Sequence, residues 1–166
     1  MLGQFEDAGQ GGFWFTSHDH EQLIHRPKPL ADESTPAGNG VAAHALQRLG
    51  HLIGETRYLD AASRTLRLAS SAIERVPYGH ASLLFALEEL ETPPEILVIR
   101  AEGARLRSLQ REAQTGYHPH RMVLAIPASA TDLPGTLAAM TAGAGARIYR
   151  CQGTYCEAPR DLPAES

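Results

Sequence analysis

The chain has 166 residues, of which 43% are apolar and 20% charged, and its formal net charge is -4. This composition is typical of one ordinary globular domain or two small ones. The mild acidity and the lack of a basic run argue against nucleic acid as a partner. No apolar run approaches the roughly 20 residues of a membrane span, and the first residues lack a signal-peptide pattern. We therefore expect a cytoplasmic protein without a nucleic-acid or membrane partner.

The first 40 residues predict a strand or turn followed by a long ordered loop. The aromatic run Phe13–Thr16 has the residue types of a short strand or turn. The loop carries helix-breaking residues throughout, namely Pro27, Pro29, Pro36, Gly38 and Gly40. Loops of this length are often functional.

Three amphipathic helices are predicted next. Asn39 stands where an N-cap is expected, before apolar residues that recur at helical spacing over residues 41–53. A second helix is predicted from about 58 to 74, forming an antiparallel hairpin with the first. A third is predicted from about 80 to 90, ending before Pro93 and Pro94.

Beyond Pro94 the pattern changes to alternating strands and helices. Continuous apolar runs predict three buried strands, and two helical stretches, about 103–114 and 132–140, lie between them. The order βαβαβ favours a small parallel sheet. We therefore predict an α+β fold, with helical hairpins in residues 1–92 and a small βαβαβ parallel-sheet unit in residues 93–166. The three apolar runs are Ile96–Ile99, Met122–Ile126 and Ala146–Tyr149.

Several short motifs of the chain resemble a known family. They are Gly11–Thr16, Asp19–Glu21, Arg26–Lys28, Asp32, Pro36–Asn39, Tyr58–Leu59, His80–Ala81, Pro93–Ile96, Cys151 and Cys156–Pro159. Together they resemble the C-terminal part of the spermatogenesis-associated thioredoxin-domain family. Members of that family combine a thioredoxin-like domain, an α/α toroid of the six-hairpin glycosidase and sugar-epimerase type, and a short α/β tail. The resemblance implies hairpins from part of a toroid and, if the chain is active, chemistry of sugar isomerase, epimerase or glycosidase type.

Candidate ligand-binding residues lie on the long loop and at the helix entries after it. Arg26 and Lys28 precede Asn39, whose following backbone N–H groups lie at the positive end of a helix, so these three residues are predicted to bind an anionic sugar or phosphate. Asp32 and His80 are the catalytic candidates, Asp32 as a polar orienter and His80 as a proton carrier. The alternatives are an ion pair that orders the loop, between Arg26 and Asp32 or Glu33, and a hydrogen bond from His80 to a loop carbonyl.

The other clusters predict no metal and no cofactor. The densest group of potential ligands, His18, Asp19, His20, Glu21 and His25, lacks the spacing of a zinc site. No glycine-rich nucleotide motif follows a predicted strand. Cys151 and Cys156 are expected to be reduced thiols, with a disulfide as the alternative.

Two functions stay open on the sequence alone. The first is binding of a carbohydrate-like or anionic sugar ligand. The second is a non-catalytic interaction module, whose helices present an apolar face to a second copy or to missing domains of a longer chain. The substrate, the reaction and whether Met1 is the true start are also left open.

Overall fold

A computed structural model describes residues 1–21 and 24–163 of the chain. The fold is α+β, as predicted: helices come first in the sequence, and a mixed five-stranded sheet with one α-helix between its strands follows. The chain forms two compact units, Met1–His51 with Glu55–Thr92 and Leu52–Gly54 with Pro93–Ser166. Among the helices of the described residues, none combines the length and apolar character that crossing a membrane requires.

The described residues of the N-terminal part form four α-helices. They are α1 (Leu2–Phe5), α2 (Gly38–Ile53), α3 (Thr56–Arg75) and α4 (Ala81–Glu91), and a 3-10 turn at Pro77–Gly79 precedes α4. The three predicted helices are confirmed, with bounds within about three residues of those expected. In α3 the apolar residues Ala62, Leu66, Ala69 and Ile73 recur every three or four positions and are buried, which is why this segment packs as a helix.

Helices α2 and α4 run side by side in the same direction. Gly40 near the start of α2 meets Ser82 near the start of α4, and the Gln47 side chain donates a 2.7 Å hydrogen bond to the carbonyl of Ala86 further along. One turn later the carboxylate of Glu89 accepts hydrogen bonds from α2. Successive residues of α2 therefore contact successive residues of α4, and the small residues between them permit this close approach.

From Pro93 to residue 163, the described part of the second unit forms one α-helix and five strands. Strand β1 (Glu95–Ala101) leads through α5 (Gly103–Ala113) to β2 (Arg121–Pro127), and β3 (Ala146–Gln152), β4 (Tyr155–Cys156) and β5 (Arg160–Leu162) follow. The strand order is β2-β1-β3-β4, with β5 also paired to β3. Apolar clusters cover β1 on both faces, one around Val98 and the other around Ile99.

The prediction of an all-parallel βαβαβ unit is wrong in its second half. β1 and β2 are parallel, but β3 pairs antiparallel with β1. The predicted helix over residues 132–140 is only a 3-10 turn, Gly135–Ala139. Pro134 and the positive φ angles of Asp132 (57°) and Gly135 (55°) interrupt a regular helix. Without a crossover helix, the chain enters β3 in the antiparallel direction.

The expectation of reduced thiols is also wrong. Cys151 on β3 and Cys156 on β4 are directly opposite each other and form a disulfide, with 4.0 Å between their Cα atoms. A turn with Gly153 at φ 59° reverses the chain between them. The sequence spacing allowed this bond, but only the strand pairing brings the two sulfur atoms together.

Candidate functional site

Asn39 holds the aromatic run against the start of α2. Helix α2 begins at Gly38, so Asn39 lies in the first turn and is not the predicted N-cap. Its side chain is only 2% exposed, accepts a 2.6 Å hydrogen bond from the N–H of Phe13, and donates to the carbonyls of Phe13 (3.0 Å) and Pro29 (2.8 Å). Asn39 therefore joins three segments that are distant in sequence, and its polar atoms are used inside the protein.

The cations of Arg26 and Lys28 both lie over the ring of Trp14. The guanidinium carbon of Arg26 is 5.2 Å and the Lys28 Nζ 4.4 Å from the ring centroid, which is cation–π distance. Arg26 also donates a 2.7 Å hydrogen bond to the carbonyl of Thr16. Arg26 thus does not form the alternative ion pair with Asp32 or Glu33, and the two cations orient the indole.

Lys28 has further partners inside the protein. Its Nζ donates to the Asp7 carboxylate at 2.7 Å and to the carbonyl of Gly11 at 2.8 Å. The hydrogen bond from Lys28, with additional backbone hydrogen bonds, lowers the pKa of Asp7 to about 2. The positive charge of Lys28 is therefore already balanced by Asp7. Lys28 is thus not a free cation for the anionic sugar or phosphate that it was predicted to bind.

An apolar pocket of about 510 Å³ adjoins this segment. Four aromatic side chains contribute to its wall: Phe5, Phe13, Trp14 and Phe15. Phe13 is buried in the core, whereas Phe15 is 72% exposed. Among the described residues that line the pocket, Glu33 is the one with a charged side chain, and Thr35 adds a hydroxyl. From the sequence, Phe13–Thr16 was predicted only as a strand or turn, and neither Phe5 nor Glu33 was predicted to line a pocket, because their spacing carries no signal.

Asp32 connects the long loop to the start of α4. Its carboxylate accepts hydrogen bonds from the backbone N–H of Ala37 (2.7 Å) and of Ser82 (2.8 Å), and also from the Ser82 hydroxyl. Burial opposes ionisation, but these hydrogen bonds hold the pKa of Asp32 below its usual value. Asp32 is thus an ionised cap for the N-terminal turn of α4.

His80 contacts a backbone carbonyl, which is the alternative to its predicted role as a proton carrier. The ring is 7% exposed, and its Nδ1 lies 2.8 Å from the carbonyl of Val76. His80 immediately precedes α4 and does not line the aromatic pocket. The structure therefore places His80 and Asp32 at one helix entry, beside Ser82, and places Arg26, Lys28 and Asn39 around the aromatic run.

A second cavity, of about 390 Å³, lies between the loop 32–36 and the first turns of α2 and α4. We call it the histidine groove; its wall includes loop 32–36, Val41, His44, Ser82 and Phe85. Sequence analysis singled out neither His44 nor the groove. The one available signal was an acidic residue, Glu89, among the apolar residues of the third predicted helix.

Glu89 is a buried carboxylate that α2 holds from two positions. It is 1% exposed; the Nε of Arg48 lies 2.9 and 3.0 Å from its two oxygens, and the Nε2 of His44 lies 3.0 Å from Oε2. Burial raises the pKa of Glu89, but the hydrogen bond from Arg48 and the nearby His44 outweigh it and leave the pKa below its usual value. Glu89 is therefore ionised and orients the imidazole of His44.

The histidine-rich segment before the long loop does not form a metal centre in the described part of the chain. His18 contacts the carbonyl of Glu6 and His20 that of Glu21, each at 3.3 Å. Within residues 1–21 and 24–163, no three His, Cys, Asp or Glu side chains are grouped so that they can hold a metal ion.

No protein-family model matches this chain, and no curated protein matches it significantly. A function must therefore be inferred from the residues that line the aromatic pocket and the histidine groove. Both cavities lie within the first unit and share the wall formed by residues 33, 35 and 36.

Proposed function

We propose that the first unit binds a neutral, carbohydrate-like ligand in the aromatic pocket. The observation that carries this proposal is the convergence of four aromatic rings on one cavity of about 510 Å³. Small-molecule sites typically have this size and a mostly apolar wall with a few polar groups. Aromatic faces pack well against the apolar C–H faces of a sugar ring, and the Glu33 carboxylate and Thr35 hydroxyl can bond its hydroxyl groups.

The charges around the pocket favour a neutral ligand over an anionic one. Lys28 is paired with Asp7, and Arg26 donates to the carbonyl of Thr16. Glu33, in the wall, repels a carboxylate or a phosphate. Arg26 and Lys28 instead hold Trp14 in place, which reduces the entropy lost when a ligand binds.

The family resemblance supports the same ligand class. The thioredoxin-domain family contains a toroid of glycosidase and sugar-epimerase type, and we infer that this chain is related to its C-terminal part. The parallel course of α2 and α4, with α3 between them in sequence, is the arrangement that successive helical hairpins require. Fold alone does not specify chemistry, so the proposal is for binding and includes no reaction at this pocket.

The second candidate function is self-association of a non-catalytic module. Val41 on α2 and Phe85 on α4 are 53% and 62% exposed, and both line the histidine groove. Exposed apolar side chains that line one groove favour burial against another surface, here a second copy of the chain. Self-association makes thermal stability depend on protein concentration, whereas ligand binding does not.

The test is a titration with neutral sugars, sugar acids and sugar phosphates, followed by tryptophan emission and thermal unfolding. Trp14 is the one tryptophan of the sequence, so its emission reports on the pocket. A neutral sugar at about 100 times its Kd stabilises the protein by roughly 2.7 kcal/mol, and the anionic sugars have less effect.

The matched variants are Phe15→Ala in the pocket wall and Tyr117→Ala in the second unit, both at exposed rings. We expect Phe15→Ala to lose the sugar response without losing stability, and Tyr117→Ala to keep it. The proposal is refuted if no neutral sugar alters emission or stability, or if Phe15→Ala responds like the unmodified protein. Stability that rises with protein concentration in the absence of sugar supports self-association instead.

A further inference from the structure

We propose that the histidine groove hydrolyses neutral carboxylic esters, with His44 as the proton acceptor for water and Glu89 as the residue that positions His44. This activity is separate from sugar binding in the aromatic pocket. It rests on three features: a buried carboxylate, a histidine bonded to it, and a cavity of about 390 Å³ that this histidine lines.

The contact with Glu89 determines which nitrogen of His44 is basic. An ionised carboxylate only accepts hydrogen bonds, so Nε2, 3.0 Å from Oε2, carries the proton. Nδ1 then has the free lone pair, and no described residue forms a hydrogen bond with it. The side chain of His44 is 33% exposed, which leaves its ring accessible from the groove. A general base needs this arrangement of an orienting acceptor on one nitrogen and a free second nitrogen.

Linking α2 to α4 does not by itself explain why His44 contacts Glu89. Arg48 already binds both oxygens of Glu89 and balances its charge inside the protein. His44 is a second contact to a carboxylate that Arg48 already holds, and its ring lies at the edge of a cavity. Because Arg48 neutralises Glu89, the main effect of the carboxylate on His44 is to fix the tautomer and the ring position.

The walls of the groove select the class of substrate. Asp32 and Glu33 place two carboxylates at the groove, so phosphate esters and substrates with carboxylate groups are repelled. Val41 and Phe85 provide an exposed apolar wall that fits a short acyl or alkyl chain. An uncharged ester has both the apolar portion and the electrophilic carbonyl carbon that this site requires.

The reaction consumes one water molecule per ester. Nδ1 of His44 takes a proton from water while the water oxygen forms a bond to the carbonyl carbon, and the π-electron pair moves onto the carbonyl oxygen. When the C=O bond re-forms, the bond to the alkoxide breaks and the alkoxide takes the proton from His44. The products are a carboxylic acid and an alcohol, and His44 returns to its neutral state.

The experiment measures hydrolysis of p-nitrophenyl acetate and butyrate, with p-nitrophenyl phosphate as the anionic comparison. His44→Gln keeps a side-chain donor for Glu89 but has no base. We expect it to lower kcat/KM for the esters by about 100-fold or more. His118→Gln, at an exposed histidine of the second unit, is the matched control and retains the rate. Added imidazole is expected to restore activity in His44→Gly.

Two further variants separate positioning from folding. Glu89→Gln is expected to lower kcat with little change in KM, because the ester still binds while His44 loses its fixed orientation. Phe85→Ala, at a side chain 62% exposed, is expected to raise KM for the butyrate ester and leave the fold intact. Equal ester rates in His44→Gln and His118→Gln, no hydrolysis above buffer in the unmodified protein, or phosphate hydrolysis that equals ester hydrolysis overturns the proposal.

Discussion

Replacing Gly40 by alanine tests the close contact between α2 and α4. A Cβ atom at this position would lie 2.6 Å from the Cβ of Ser82 and 2.7 Å from its carbonyl carbon. Favourable carbon–carbon contacts lie at about 3.5–4.0 Å, so the two helices must separate by roughly 1 Å. Ser82 cannot easily move away, because its backbone N–H and its hydroxyl are both bonded to Asp32.

Two effects of opposite sign set the magnitude. Alanine stabilises a helix interior by up to about 1 kcal/mol relative to glycine. Overpacking of a tight contact costs about 1–3 kcal/mol, and here the obstacle includes backbone atoms. We therefore expect Gly40→Ala to lower the free energy of unfolding by about 1–2 kcal/mol. For a folded unit of this size, each kcal/mol shifts Tm by about 4–8 °C.

The assay is urea unfolding followed by the emission of Trp14, which lies in the first unit. Gly38→Ala is the matched control, because Gly38 is also in the first turn of α2 and nothing lies within 4 Å of a Cβ built there. This control is expected to be as stable as the unmodified protein or slightly more stable. If Gly40→Ala is equally stable, the α2–α4 contact is looser than described and the reasoning fails.

Three further predictions concern other parts of the chain. Asn39→Ala leaves backbone groups of Phe13 and Pro29 without partners and is expected to lower the free energy of unfolding in urea by about 2–4 kcal/mol. A loss under about 1 kcal/mol would contradict the conclusion that Asn39 holds these segments together. The pKa of Asp7 falls from 3.8 to about 2 on folding, so its pairing with Lys28 stabilises fully above about pH 4 and is lost as the pH falls through 2. Unfolding free energies at pH 2–6 should therefore show a smaller acid-dependent loss in Lys28→Met than in the unmodified protein. Reducing the disulfide between Cys151 and Cys156 opens a short loop and is expected to lower the unfolding free energy of the second unit by about 2 kcal/mol. Thiol titration of the oxidised, denatured chain should detect no free thiol at either residue.

Periodic patterns predicted most of the helices and strands because they record which side of an element is buried. The α3 stripe and the apolar run of β1 are local signals, and both elements appear with nearly the expected bounds. The candidate site was less predictable. The aromatic run was visible in the sequence, but the partners of Arg26 and Lys28 were not, since residues far apart in the chain determine them.

The sequence by itself determined the α+β class, the three main helices and the three principal strands, because hydrophobic spacing and helix-breaking residues act over short stretches of chain. Tertiary structure alone decided the antiparallel direction of β3, the disulfide across β3 and β4, and the pairing of Glu89 with His44. Each of these depends on which distant segments meet in space. A buried charge or a cysteine acquires its role only from the partner that folding brings to it.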